Sequence, residues 1–156
     1  MLSEIFIDQH HKIDRLLAEF IKSMNDNKPG TAELAELRKM LRMHIYVEEN
    51  ALFRKVEDTG DRQGINGLEV EHAGIFRLLD RIELYIARND FVRAIDRAEG
   101  LVRVLQAHNE KEEQMVYLAL DSIPENEQAE ISDGLMSLEV PEGWECRILL
   151  KYGKRK

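Results

Sequence analysis

With a single cysteine, Cys146, the chain cannot form an internal disulfide, which fits a reducing compartment. Three prolines in 156 residues leave long stretches without a helix breaker, and aromatic residues are only 6% of the total. No apolar run approaches the roughly 18 residues that a membrane span needs. The first residues carry neither the basic start nor the apolar run of a secretory signal, so a cytoplasmic location is the expectation. Net positive charge is also missing. A formal charge of −8 argues against a grip on nucleic acid or on an anionic membrane. The basic residues crowd instead at the end, as Lys151, Lys154, Arg155 and Lys156.

What is abundant is helix-forming sequence with a helical period. Residues 3–26 place Phe6, His10, Ile13, Leu17, Phe20 and Met24 on one stripe, with His11 flanking it. Asn27-Lys28-Pro29-Gly30 ends that segment. Residues 32–57 follow with Leu34, Leu37, Leu41, His44, Glu48, Ala51 and Leu52. Asp58-Thr59-Gly60-Asp61 breaks the helix, Gly64 and Gly67 loosen the connection, and Asn66 with Glu69 resembles a capping box. Residues 67–88 then carry Leu68, His72, Ile75, Leu79, Ile82 and Ile86. After Asn89-Asp90, residues 91–121 carry Ala98, Leu101, Leu105, His108, Glu112, Met115 and Ala119. Four long helices with short connections predict an all-α, antiparallel up-down four-helix bundle over residues 1–121.

Residues 122–156 depart from this pattern and form a C-terminal extension. Ser122-Ile123-Pro124-Glu125 reads as a cap before a short helix to about Leu138. Val140 to Tyr152 reads as irregular or extended, with Trp144 and Ile148 free to pack on the bundle or on a second copy in a homodimer.

The four main helices are a repeat. His10, Lys12, Ile13, Leu16 and Leu17 recur 62 residues later as His72, Gly74, Ile75, Leu78 and Leu79. The line from Leu41 through His44, Glu48 and Glu49 recurs 64 residues later from Leu105 through His108, Glu112 and Glu113. On a helix, His44 and Glu48 share a face about 6 Å apart along the axis, as do His108 and Glu112. Glu49 and Glu113 fall on the flanks. From His10 to the first turn is about 16 residues and back to His44 about 13, and the second pair runs about 17 and 18, so at about 1.5 Å per residue all four histidines reach one level.

Four imidazoles and two carboxylates on inward stripes would be a costly polar load unless paired or metal-bound. A lone core histidine is ordinarily a hydrogen-bonded packing residue, and one His-xxx-Glu is ordinarily a surface pair. Their repetition on four helices favours a shared metal site. Imidazole and carboxylate without thiolate suit iron, manganese or zinc, but six donors overfill the tetrahedral shell that zinc prefers. Two carboxylates can instead bridge two ions that each take two histidines.

The pattern His10…His44-xxx-Glu48…His72…His108-xxx-Glu112, together with Glu71-His72 and Leu41-xx-His44-xxx-Glu48-Glu49, resembles the hemerythrin-like, HHE cation-binding family over residues 3–121. The resemblance implies a non-haem di-iron centre, with His10, His44, His72 and His108 as terminal ligands and Glu48 and Glu112 bridging two Fe ions. It also implies a small diatomic ligand or peroxide as the partner. Oxygen-carrying members have a fifth histidine four residues after the third, where this chain has Phe76, and a final His-xxxx-Asp where it has Glu112 one residue closer. These departures point away from a dedicated carrier and towards sensing or cluster-repair members, although the repair proteins' N-terminal cysteine segment is lacking. Glu71 and Asp14 are candidate acceptors for the imidazoles, while Tyr46 and Tyr117 read as packing or interface residues.

Three functions remain in view. One is a di-iron protein, not a dedicated enzyme, that binds or senses O2, NO or peroxide or handles iron. A second is a di-iron peroxidase or iron-sulfur-cluster repair-like protein. The third is an interaction module in which metal stabilises the bundle.

Overall fold

The computed structural model describes residues 1–58 and 60–153. Thr59 in the expected break and Lys154, Arg155 and Lys156 of the basic end lie outside the described residues. The described residues form helices and connecting turns, with no strand among them. Helix α1 spans Leu2–Asn25 and α2 spans Thr31–Val47. The chain then widens into a π-helical turn, π1 (Glu48–Leu52), before α3 (Phe53–Glu57). Helix α4 spans Arg62–Ala87 and α5 spans Phe91–Glu112. A second wide turn, π2 (Glu113–Tyr117), leads into α6 (Leu118–Asp121), and α7 (Glu125–Leu135) and α8 (Arg147–Tyr152) complete the chain.

The long helices pack α1 on α2, α4 on α5 and α1 on α5. Helix amphipathicity drives this: Ile13, Leu17, Phe20 and Met24 of α1 are buried, as are Leu34, Leu37 and Leu41 of α2. Fully burying side chains of this kind contributes about 1.5–3 kcal/mol each. The turn between α1 and α2 depends on Gly30, whose φ of 60° is left-handed. A Cβ there would also sit 2.8 Å from the Phe20 ring.

Three boundaries differ from the sequence expectation. Helix α4 begins at Arg62, because Asp61 caps it by accepting a hydrogen bond from Gly64 N. Gly64 and Gly67 therefore lie within a helix, and the Asn66–Glu69 box is not formed at its start. A Cβ on Gly64 would come within 2.8 Å of Met115 Sδ, so glycine there allows close packing. The segment expected to be irregular or extended contains a short helix, α8, and Trp144 and Ile148 pack on the apolar core. The third difference is the pair of π turns. After each one the buried face continues one residue later than a plain α stripe predicts. Leu52, Phe53 and Val56 are buried after Glu48, and Val116, Tyr117 and Leu120 after Glu112, while Ala51, Met115 and Ala119 are only half-buried.

The core is split. One apolar cluster holds Ile13, Leu17, Leu41, Ile75, Leu79, Leu101 and Leu105, with Cys146 and Leu149 from the C-terminal segment. The other holds Leu2, Phe6, Val47, Phe53, Leu68, Val116 and Leu120. On α1 the two clusters part between Phe6 and Ile13, and on α4 between Leu68 and Ala73. His10 and His72 stand in these gaps, so a polar layer separates the two hydrophobic blocks.

Candidate metal centre

The helices deliver the layer residue by residue. Helix α1 supplies His10, α2 supplies His44 with Glu48 at the start of π1, α4 supplies His72, and α5 supplies His108 and Glu112. All six are buried, and Glu48, His72 and Glu112 have no measurable exposure. The structure brings the six into one cluster.

Their donor atoms fall into two overlapping groups. His10, His44, Glu48 and Glu112 each offer one atom within 4.8 Å of the others, and so do Glu48, His72, His108 and Glu112. In the first group the His10 and His44 Nε2 atoms are 3.0 Å apart, His44 Nε2 is 2.9 Å from Glu48 Oε1, and His10 Nε2 is 3.2 Å from Glu112 Oε2. In the second, His72 Nε2 is 3.3 Å from both Glu48 Oε2 and Glu112 Oε1, and His108 Nε2 is 2.8 Å from Glu112 Oε1. Donors about 2.1 Å from a common cation and near right angles to one another stand about 3 Å apart. The Glu48 Oε2 atom lies within reach of His72 but makes no hydrogen bond of good geometry, and it is buried. An orphaned carboxylate oxygen facing a nitrogen-rich cluster suits a cation.

The outward-facing nitrogens of three rings are held. Gln9 Oε1 lies 2.6 Å from His44 Nδ1, Glu71 Oε1 lies 2.9 Å from His108 Nδ1, and Glu49 Oε1 lies 2.9 Å from His72 Nδ1. A hydrogen bond on Nδ1 fixes the tautomer that leaves Nε2 as the donor to a cation. His10 Nδ1 has only Glu113 Oε2, at 3.8 Å. The pairs follow the repeat: Gln9 and Glu71 are 62 residues apart, and Glu49 and Glu113 are 64 apart.

Glu71 thus touches the site, whereas Asp14, the other candidate acceptor, is exposed, as is His11. Two further residues of the layer do not follow from the helical stripe. Glu49 was expected on the flank, yet it is buried against His72. Tyr117, expected to be a packing or interface residue, is buried at the centre of the layer. Its hydroxyl lies 2.8 Å from Glu48 Oε1, 2.9 Å from His10 Nε2 and 3.5 Å from Glu112 Oε2. The signal for both lay in the repeat, because Glu49 and Glu113 match in type and Phe53 and Tyr117 follow their glutamates at the same spacing. Tyr46, by contrast, packs edge-on against Trp144. Phe76, at the place of a fifth histidine, is buried and its ring meets Trp144.

Proton affinities reflect the crowding. Burial disfavours the charged form of His108, but the Glu112 carboxylate and the hydrogen bond that His108 donates to Glu71 outweigh it and raise the imidazole to about 9. His10 and His72 are also raised, against burial, by Glu112 and Glu48. Glu112 is held well below the usual carboxylate range; its burial is opposed by His108, His10 and His72. The hydrogen bond with His108 brings Glu71 down to about 2. Burial and the neighbouring carboxylates keep the Tyr117 phenol protonated far above its ordinary value. Without a cation, imidazolium carries the positive charge that the buried carboxylates need. A cation held there would supply that positive charge instead and would displace protons.

No helix of the described residues is long and apolar enough to cross a membrane. The sequence model of the Hemerythrin HHE cation binding domain matches residues 1–120. Neither a curated protein nor a solved structure gives a match.

Proposed function

We propose a di-iron function for this chain, which belongs to the hemerythrin HHE cation binding domain family. The observation that carries it is the sharing of Glu48 and Glu112 between two four-donor groups. His10 and His44 would hold one ion and His72 and His108 the other, with both glutamates bridging. Iron is favoured over zinc because the imidazole and carboxylate donors include no thiolate and exceed a single tetrahedral shell. Two iron ions so held would supply two electrons and open coordination positions to O2, NO or peroxide.

The residues of the chain do the rest. Gln9, Glu49 and Glu71 orient three imidazoles through Nδ1. The apolar clusters on both sides keep bulk water from the layer. The architecture we infer is an antiparallel up-down four-helix bundle over residues 1–121, with residues 122–156 as an extension docked on it. Ser3 donates to Asp121 at 2.6 Å and Ser23 to Glu33 at 3.1 Å, ties that fit α1 running antiparallel to α2 and beside α6. Sensing or scavenging of the small ligand, rather than a dedicated catalytic cycle, is the role we favour.

The test is metal analysis of purified protein with absorption spectra before and after O2, peroxide and NO. About two irons per chain and a band that responds to one of the three ligands support the proposal. Steady metal-dependent consumption of peroxide or NO would move it to the enzyme alternative. Zinc alone, with no spectral response, would remove it. A second reading, a metal-stabilised interaction module, has one observation in its favour: Met136 and Leu150 of the extension are strongly exposed. If deletion of residues 122–156 leaves metal content and oligomeric state unchanged, that second reading fails.

A further inference from the structure

The two halves of the layer are related by the repeat, but they are not chemically equal. Five residues after Glu48 the chain has Phe53, and five after Glu112 it has Tyr117. Because each glutamate is followed by a π turn, both aromatic rings return to the face of the glutamate. Phe53 stacks on His72, ring centroids 5.5 Å apart at an interplanar angle of 10°. Tyr117 stacks on His10, with centroids 5.4 Å apart at 29°. The rings are thus placed alike, and only one carries an oxygen.

That oxygen stands among the donors of the first group. It is 2.9 Å from His10 Nε2, 2.8 Å from Glu48 Oε1 and 3.5 Å from Glu112 Oε2. These are the separations that the imidazole and carboxylate donors keep from one another. The outer surroundings differ in the opposite sense. The His72–His108 half has two carboxylate acceptors, Glu49 and Glu71, at 2.9 Å. The His10–His44 half has the neutral amide of Gln9 and the more distant Glu113. An anionic oxygen would be supplied where outer negative charge is short.

We propose that Tyr117 is a seventh protein donor, a phenolate ligand to the cation held by His10 and His44, and that the Phe53 side leaves the His72–His108 cation with four protein donors and room for an exogenous ligand. The inference rests on the di-iron proposal above. On loading, the cation replaces the phenol proton, which leaves to solvent, and no electron changes hands. The two ions would then be inequivalent, one with five protein donors and one with four.

The experiment is resonance Raman and visible absorption of full-length protein loaded with iron and oxidised to the ferric state. The expected result is phenolate-to-iron charge transfer with tyrosinate ring modes, lost in Tyr117→Phe while two irons per chain remain. The complementary variant replaces the other tyrosines, Tyr46→Phe, Tyr85→Phe and Tyr152→Phe, and the modes should persist. This variant keeps the test decisive if Tyr117→Phe does not fold. Iron-loaded protein without tyrosinate modes, or modes that vanish from the triple variant, would overturn the ligand assignment and leave the di-iron proposal standing. Failure to take up iron at all would overturn both.

Discussion

The backbone amide of Arg147, at the first turn of α8, donates to Glu49 Oε2 at 2.9 Å, while the other oxygen of the same carboxylate meets His72 Nδ1. One buried side chain therefore ties the polar layer to the C-terminal segment. Glu49→Ala would leave His72 Nδ1 and Arg147 N without that acceptor. Partners of this kind typically contribute 10- to 100-fold to metal affinity, so a loss of about that size is expected. Amide exchange across residues 146–152 should quicken at the same time. Metal titration and hydrogen-exchange mass spectrometry check the two effects, and weakened metal binding without faster exchange would sever the link.

Stability of metal-free protein should fall on the alkaline side. His108 is raised in the fold from 6.5 to about 9, so its ion pairs stabilise fully below about 6.5 and the contribution is lost as pH rises through about 9. Glu112 is lowered below its ordinary 4.5, so its contribution is present above about 4.5 and is lost on acidification. Thermal melts of stripped protein should therefore peak between about 4.5 and 6.5. Loaded protein should not share the alkaline decline, because imidazoles acting as metal ligands would already be neutral. Proton release on metal addition at neutral pH, measured in weak buffer, is the companion observation.

Glu71→Gln tests the acceptor on the opposite ring. Glu71 accepts from His108 Nδ1 and also takes Lys111 Nζ at 2.6 Å. An amide keeps the hydrogen bond but removes the charge, as Gln9 already does for His44. Metal affinity should drop by about tenfold or somewhat more, with little change in melting temperature of the loaded protein at saturating metal. A variant that binds as tightly as the parent would show that the carboxylate charge is irrelevant.

Gly30→Ala separates fold from site. The φ of 60° and a Cβ only 2.8 Å from the Phe20 ring make the substitution strained and overpacked. A loss of about 1–3 kcal/mol is expected from denaturant unfolding. Iron stoichiometry and spectrum should remain as in the parent, since the turn is far along α1 from His10.

The sequence pattern was readable wherever the helices keep 3.6 residues per turn. His10 and His72 sit in unbroken α1 and α4, and their stripes emerge directly from the spacing. His44 with Glu48, which opens the first wide turn, and His108 with Glu112, which precede the second, are equally clear. Beyond them the period fails. In a plain α-helix, five residues rotate the chain well past the starting face, which makes Tyr117 look peripheral to Glu112. In a π turn, five residues come nearly full circle, so Tyr117 and Phe53 point back into the layer. Glu49 lies inside π1, and its burial has the same origin. Side chains take up the main-chain carbonyls of the widened turn, as Asn50 Nδ2 does for Tyr46 O and Arg54 Nε for Glu49 O. Helix α4 escaped by another route: Asp61 is an ordinary cap, but two glycines after it masked the helix start. The docking of α8 depends on contacts more than 90 residues apart, such as Arg147 with Glu49 and Arg42 Nη1 with Trp144 O, which no local period records.

The most direct test of the central claim is an anaerobic ferrous titration of stripped protein, followed by oxidation and electron paramagnetic resonance. Two ions per chain, with the ferric pair coupled and silent through its glutamate bridges, is the result the shared Glu48 and Glu112 predict. A single equivalent, or two equivalents that each give the signal of an isolated ferric ion, would contradict it.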